Sequence, residues 1–155
     1  MIFNRRKTKI GAIVFEAVFL FTIDRYLKYW AIHLLYNQKV DLIKNWLTLD
    51  FFKNENIAFS LPMPSIIIIP LVSIVLAVLI YYFFKSFKQK LVIQNLALLF
   101  IILGATSNLY DRLQYNYVID YIDVKYWPTV FNLADIMISL GVIVLIAILF
   151  KKNKS

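Results

Sequence analysis

The stretch Val130-Phe131-Asn132-Leu133-Ala134-Asp135-Ile136-Met137, which continues without another charge to Phe150, decides how this chain is read. It is long enough to cross a bilayer core, which takes about 20 apolar residues, and Asp135 near its head is its only charge. A carboxylate several residues into such a helix is costly unless it has a partner, a proton or water. Working back along the chain, Ser65 to Phe84 and Leu91 to Tyr110 are uncharged and also of spanning length. A fourth segment, Ile10 to Tyr36, is long enough but carries Glu16, Asp24, Arg25 and Lys28, the last three near its far end. It reads as a spanning helix with a polar exit.

Composition agrees. Of 155 residues, 61% are hydrophobic and 17% charged, against an apolar share of about 45–50% in ordinary soluble domains. The expected fold is therefore mainly α: a single integral membrane domain over residues 1–155, built as a four-transmembrane-helix bundle. Its spans are expected at about residues 10–36, 65–84, 91–112 and 131–150.

Basic residues set the predicted orientation, because Lys and Arg collect on the cytoplasmic side of short loops. Arg5, Arg6, Lys7 and Lys9 precede the first span, Lys85, Lys88 and Lys90 fill the turn between the second and third, and Lys151, Lys152 and Lys154 follow the fourth. None of these segments holds an acid, whereas the opposite side mixes seven bases with eight acids. Both termini are predicted to be cytoplasmic. The net charge of +8 is thus topological and points away from nucleic acid. Glu16 interrupts the first apolar run and no small-x-small cleavage site follows before Asp24, so the run is expected to be retained rather than removed as a signal peptide. With no cysteine, the chain has no disulfide, thiolate metal site or cysteine nucleophile.

The outer loops mark the working face. The first, about residues 37–64, contains Trp46-Leu47-Thr48-Leu49-Asp50-Phe51-Phe52, rich in strand-favouring types, and predicts a small extracytoplasmic β-sheet ended by Pro62 and Pro64. Pro70 is expected to kink the second span or sit in its first turn. The second outer loop, Leu113 to Val130, is dense in tyrosine and tryptophan and reads as an interfacial anchoring belt.

Polar clusters gather on this outer side. Asp24 and Lys28 share a helix face, and an ion pair at a helix end accounts for them as well as a catalytic role does. Asn108 and Arg112 suit a supporting role, because arginine is permanently charged and cannot shuttle protons at neutral pH. Asn132 fits a helix N-cap. His33 has no candidate serine and reads as a surface or interface histidine. If Asp135 meets a second acid, Asp120 or Asp123, two adjacent carboxylates cannot both ionise comfortably and the pair holds one proton. Such a pair can activate a water against a carbonyl without a metal or a nucleophilic side chain. The alternatives are a metal-dependent membrane phosphotransferase or phosphatase, with Asp111, Asp120, Asp123 and Asp135 around magnesium, and a non-enzymatic subunit conducting protons or ions.

Five strings in order resemble the lipoprotein signal peptidases, or signal peptidase II: Asp24-Arg25-Tyr26-Leu27-Lys28, Asn54 to Ser60, Asn108-Leu109-Tyr110-Asp111-Arg112, Val118-Ile119-Asp120-Tyr121 and Phe131-Asn132-Leu133-Ala134-Asp135. The resemblance implies a membrane aspartyl endopeptidase of the bacterial cytoplasmic membrane, active at the extracytoplasmic face. Its expected substrate is a prolipoprotein, cleaved before the diacylglyceryl-modified cysteine. It selects Asp120 with Asp135 as the catalytic dyad and Asp24, Lys28, Asn54, Asn108, Arg112 and Asn132 as supporting or substrate-binding positions, with Asp111 structural. Neither cofactor nor metal is implied; the partners are the precursor and membrane lipids, and the chain is expected to act as a monomer. Asn56-Ile57 stands where the family has glycine and alanine, Ser107 where it has glycine, and the interval from Asp120 to Asp135 is short. These departures bear on substrate preference and inhibitor fit.

Overall fold

The computed structural model describes residues 2–36, 38–55, 65–89 and 91–152. Asn56, Ile57, Pro62, Pro64, Lys90 and Lys154 lie outside them. In chain order the elements are α1 (Ile2–Leu34), β1 (Val40–Ile43), β2 (Leu47–Asn54), α2 (Ser65–Lys88), α3 (Val92–Tyr115), β3 (Val118–Val124) and α4 (Leu133–Lys152).

The helices overrun the apolar segments that announce them. Lys85 and Lys88 lie in the last turn of α2 and Arg112 in that of α3, where cations complement the partial negative charge of a helix C-terminus. Pro70 lies inside α2, past its first turn, and removes one helical N–H donor. Among the described residues, Ile66–Lys88, Val92–Tyr115 and Leu133–Lys151 are long and apolar enough to cross a membrane. α1 is longer still, but Glu16, Asp24, Arg25 and Lys28 dilute its apolar character.

α3 is the central helix and packs against α1, α2 and α4. Two glycines allow α4 to lie close. A Cβ on Gly104 would stand 2.5 Å from the Ala134 carbonyl oxygen, and one on Gly141 would stand 2.6 Å from the Ala97 carbonyl oxygen. Small residues at such crossings let helix backbones approach in lipid. The buried positions late in α1, Asp24, Lys28 and Ala31, with Leu35 just past its end, recur at steps of four and three and so form one stripe, which buried Ala17 extends seven residues back. That stripe is polar at the level of Asp24 and Lys28 and apolar beyond it. Ala31 and Leu35 join Ile119 and Tyr121 in a core cluster beneath the sheet. The large aliphatic and aromatic side chains of α2 remain mostly exposed, as a lipid-facing helix requires.

The sheet is antiparallel, in the order β1-β2-β3. It is not the product of the first outer loop alone: its third strand comes from the second, which corrects the reading of that loop as only an aromatic belt. Val118, Ile119, Ile122 and Val124 supply the β-branched content of a strand, and pairing with β2 satisfies an edge that would otherwise be open. Phe131 then returns to β3. Its N–H donates to the Ile122 carbonyl at 3.1 Å, and its carbonyl accepts from the N–H of Ile122 at 2.8 Å and of Tyr121 at 3.1 Å. This clasp leaves the next residue, Asn132, beside Asp120, with α4 starting immediately after it.

Candidate active site

Asp120 enters from β3, opposite Phe52 of β2, and is fully buried. Each carboxylate oxygen accepts one amide: Oδ2 from Asn54 Nδ2 at 2.7 Å and Oδ1 from Asn132 Nδ2 at 2.6 Å. Burial first, and the charge of Asp135 second, push the Asp120 carboxyl up from the ordinary 3.8 to about 7. The two amides and Lys28 oppose the rise without cancelling it.

Asp135 is the third residue of α4 and closes a capping box with Asn132. The Asn132 side-chain oxygen accepts the Asp135 N–H at 2.9 Å, and Asp135 Oδ2 accepts the Asn132 N–H at 3.1 Å. Its other oxygen accepts Asn108 Nδ2 at 2.8 Å. Three asparagines therefore cradle two carboxylates. Asn132 touches both, through its side chain to Asp120 and its backbone to Asp135, and also reaches Asn108 Oδ1 at 3.2 Å.

A buried ionic layer lies behind the cradle. Lys28 has no exposed surface, and its three N–H donors find Asn108 Oδ1 at 2.7 Å, Asp111 Oδ2 at 2.7 Å and Asp24 Oδ2 at 3.4 Å. Arg25 caps Asp111 at 2.5 Å, bonds to Ser107 and lies over the Tyr110 ring. Two cations and two carboxylates thus close a neutral set, with every buried side-chain N and O among the described residues partnered. Lys28 reaches Asp135 through Asn108. Arg112 lies within electrostatic range of Asp111, Asp120 and Asp135.

The structure brings together every site position expected from sequence: Asp120, Asp135, Asn54, Asn108 and Asn132 directly, Asp24 and Lys28 behind them, and Arg112 alongside. Asp111 is occupied by Arg25 and Lys28, in the structural pairing expected of it. Asp123 sits three residues after Asp120 on the same strand, hence on the opposite face, in register with Thr48. Among the described residues no group of three His, Cys, Asp or Glu converges as metal ligands do. His33 is exposed and lies tilted against the Tyr29 ring. Sequence reasoning missed Arg25, Ser107 and Tyr121. Ser107 donates to Asp24 Oδ2 at 2.6 Å and Tyr121 to Asp24 Oδ1 at 3.2 Å. The spacing of Ser107, Asn108 and Asp111 on one face of α3 was an available signal; Tyr121 had none among so many tyrosines.

Comparison with known proteins places this arrangement in context. A family model described as "Signal peptidase (SPase) II" matches residues 16–151. The lipoprotein signal peptidase of Clostridium novyi (strain NT) is 32% identical over 143 residues, covering 88% of this chain and 96% of its own. That of Clostridium acetobutylicum is 35% identical over 140 residues, covering 85% and 90%. A solved structure described as "Bacterial membrane enzyme structure by the in meso method at 2.3 A resolution" superposes with a TM-score of 0.84 at 27% identity, over 92% of this chain and 90% of that one.

Proposed function

The chain belongs to the signal peptidase II family and is a peptidase that removes signal peptides from prolipoproteins, and from that premise we propose that Asp120 and Asp135 are its catalytic pair. The observation that carries this reading is the three-asparagine cradle, which holds both carboxylates within each other's field and links them through Asn132.

In this mechanism one proton is shared by the pair. The ionised carboxylate takes a proton from a water as its oxygen attacks the scissile carbonyl; the protonated carboxyl polarises that carbonyl and then delivers its proton to the leaving amine. Asn54 and Asn132 orient Asp120, while Asn108 and the capping box orient Asp135. Lys28 steadies Asn108, and Arg112 balances negative charge near the pair. The substrate signal peptide enters sideways from the bilayer among α2, α3 and α4. The bond before its lipid-modified cysteine is held at the depth of the two aspartates, and that positioning supplies much of the catalysis. The sheet covers the substrate and limits water, with Asn54 at the end of β2 directed to Asp120.

The same reading makes α1 a fourth span, whose polar residues Asp24 and Lys28 face α3 instead of lipid. Both termini then lie on the cytoplasmic side of the bacterial inner membrane, with the pair at the outer face, and the chain acts as a monomer. The decisive experiment incubates the purified full chain with a lipid-modified precursor. Asp120→Asn and Asp135→Asn are each expected to lose cleavage by about 10³-fold or more while keeping the helical circular dichroism of the wild type. Substantial turnover in either folded variant overturns the pair.

A further inference from the structure

The first amides of α4 are held by more than the helix's own cap. Leu133 donates its N–H to the Tyr121 hydroxyl at 3.1 Å, Ala134 donates to Asp24 Oδ1 at 3.1 Å, and the Tyr121 hydroxyl donates to that same oxygen at 3.2 Å. Asp24 Oδ2 is in turn fixed by the Ser107 hydroxyl at 2.6 Å. A helix start presents unbonded amides and partial positive charge. Here a carboxylate from α1 and a phenol from β3 answer both. Burial, with the charge of Asp24 behind it, holds the Tyr121 phenol protonated beyond its usual range, so it remains a donor to Asp24 while accepting from Leu133.

We infer that Tyr121 is a positioning residue: its hydroxyl, seated on Asp24, sets the height and rotation of the first turn of α4 and so aims the carboxyl of Asp135. The inference rests on Asp135 being catalytic. The polar atoms of Tyr121 and Asp24 are engaged with each other, with Ser107 and with the first amides of α4, so their effect passes through the helix start. Asp135 lies two residues beyond Leu133 in that turn, about 3 Å of helical rise. A displacement of the turn is therefore carried almost undiminished to the carboxyl, and a misplacement of about 1 Å can cost about 10²-fold in rate. Removing the hydroxyl leaves the ring in place among Ala31, Leu35 and Ile119, so packing and aim are separable.

The test compares Tyr121→Phe, Asp24→Asn and the double variant with the wild type and Asp135→Asn, all as full chains in detergent on a diacylglyceryl-modified precursor. Tyr121→Phe is expected to lower kcat about 10-fold or more with KM unchanged. The double variant is expected to be no slower than the slower single one, because both substitutions break the same clamp. Wild-type kcat in Tyr121→Phe, a rise confined to KM, or losses that multiply in the double variant would each overturn the inference. Should Tyr121→Phe fail to fold, Ser107→Ala reads the clamp from its other end: a kcat loss at constant KM supports it, and wild-type kcat overturns it. Cleavage by Asp135→Asn would instead defeat the catalytic reading itself, whereas an inactive Asp135→Asn beside a fully active Tyr121→Phe defeats only the positioning.

Discussion

Asp120 behaves as it does because its surroundings disfavour its charge. Burial and the neighbouring Asp135 lift it to about 7, so it holds a proton below that pH and loses it above. The value of kcat/KM is therefore expected to fall as pH rises through about 7, since the proton needed by the leaving amine is lost; a profile flat from pH 6 to 9 would contradict this. Stability moves the same way. A carboxyl whose folded value lies above the ordinary 3.8 binds its proton more tightly folded than unfolded, and so loses stability as pH rises from about 4 to 7. Asn at this position cannot ionise. Between pH 5 and pH 8 the wild type is thus expected to lose on the order of 2–3 kcal/mol more stability than Asp120→Asn, as read from thermal midpoints. The acids and the Asn132 cap could be read from sequence because each follows from local chemistry. Tyr121 could not, because its meaning lies in a contact to Asp24 more than 80 positions away; for Ser107 the face shared with Asn108 and Asp111 was legible, but its partner Asp24 was not.

Among the elements, the junction between β3 and α4 does most to assemble the site. The Phe131 clasp on Ile122 turns the chain so that a strand residue, Asp120, faces a helix cap, Asn132. α3 supplies the opposing wall, and Gly104 sets how closely it can approach. A methyl there would meet the backbone oxygen of Ala134, the residue before Asp135, at 2.5 Å. Gly104→Ala is accordingly expected to cost about 1–3 kcal/mol through overpacking and to slow cleavage by moving the head of α4. A thermal scan and the precursor assay check both, and an unchanged midpoint would show that the helices part without penalty. The sheet was only partly legible at this scale. The strand pattern of the first outer loop was evident, but the tyrosines around Val118–Val124 suggested an interfacial anchor, and only pairing with β2 gives that segment its strand role.

For the whole molecule, the charge distribution predicts a single orientation, with the α2–α3 turn on the cytoplasmic side and the loop after β3 outside. The absence of cysteine makes this directly measurable. Gln89→Cys and Trp127→Cys each place a lone thiol at an exposed position. An impermeant maleimide added to intact spheroplasts is expected to label the second and to reach the first only after permeabilisation. The reverse pattern would put the carboxylate pair on the cytoplasmic face and remove the outer-face reading.

What the sequence determined alone was the apolar segments, the polar clusters and the residue types that hold a proton, because each depends on composition or spacing within a few turns. The uncharged lengths of Ser65–Phe84 and Leu91–Tyr110 needed nothing else to mark them as spanning candidates. Tertiary structure decided which acids meet. Asp120 and Asp123 are equivalent by type, and they separate only when β3 pairs with β2 and alternation sends one into the Asn54–Asn132 cradle and the other to the opposite face. Likewise the layer of Asp24, Lys28, Asp111 and Arg25 is invisible one helix at a time. Burying those charges is tolerable only because α1 and α3 bring opposite signs together out of water.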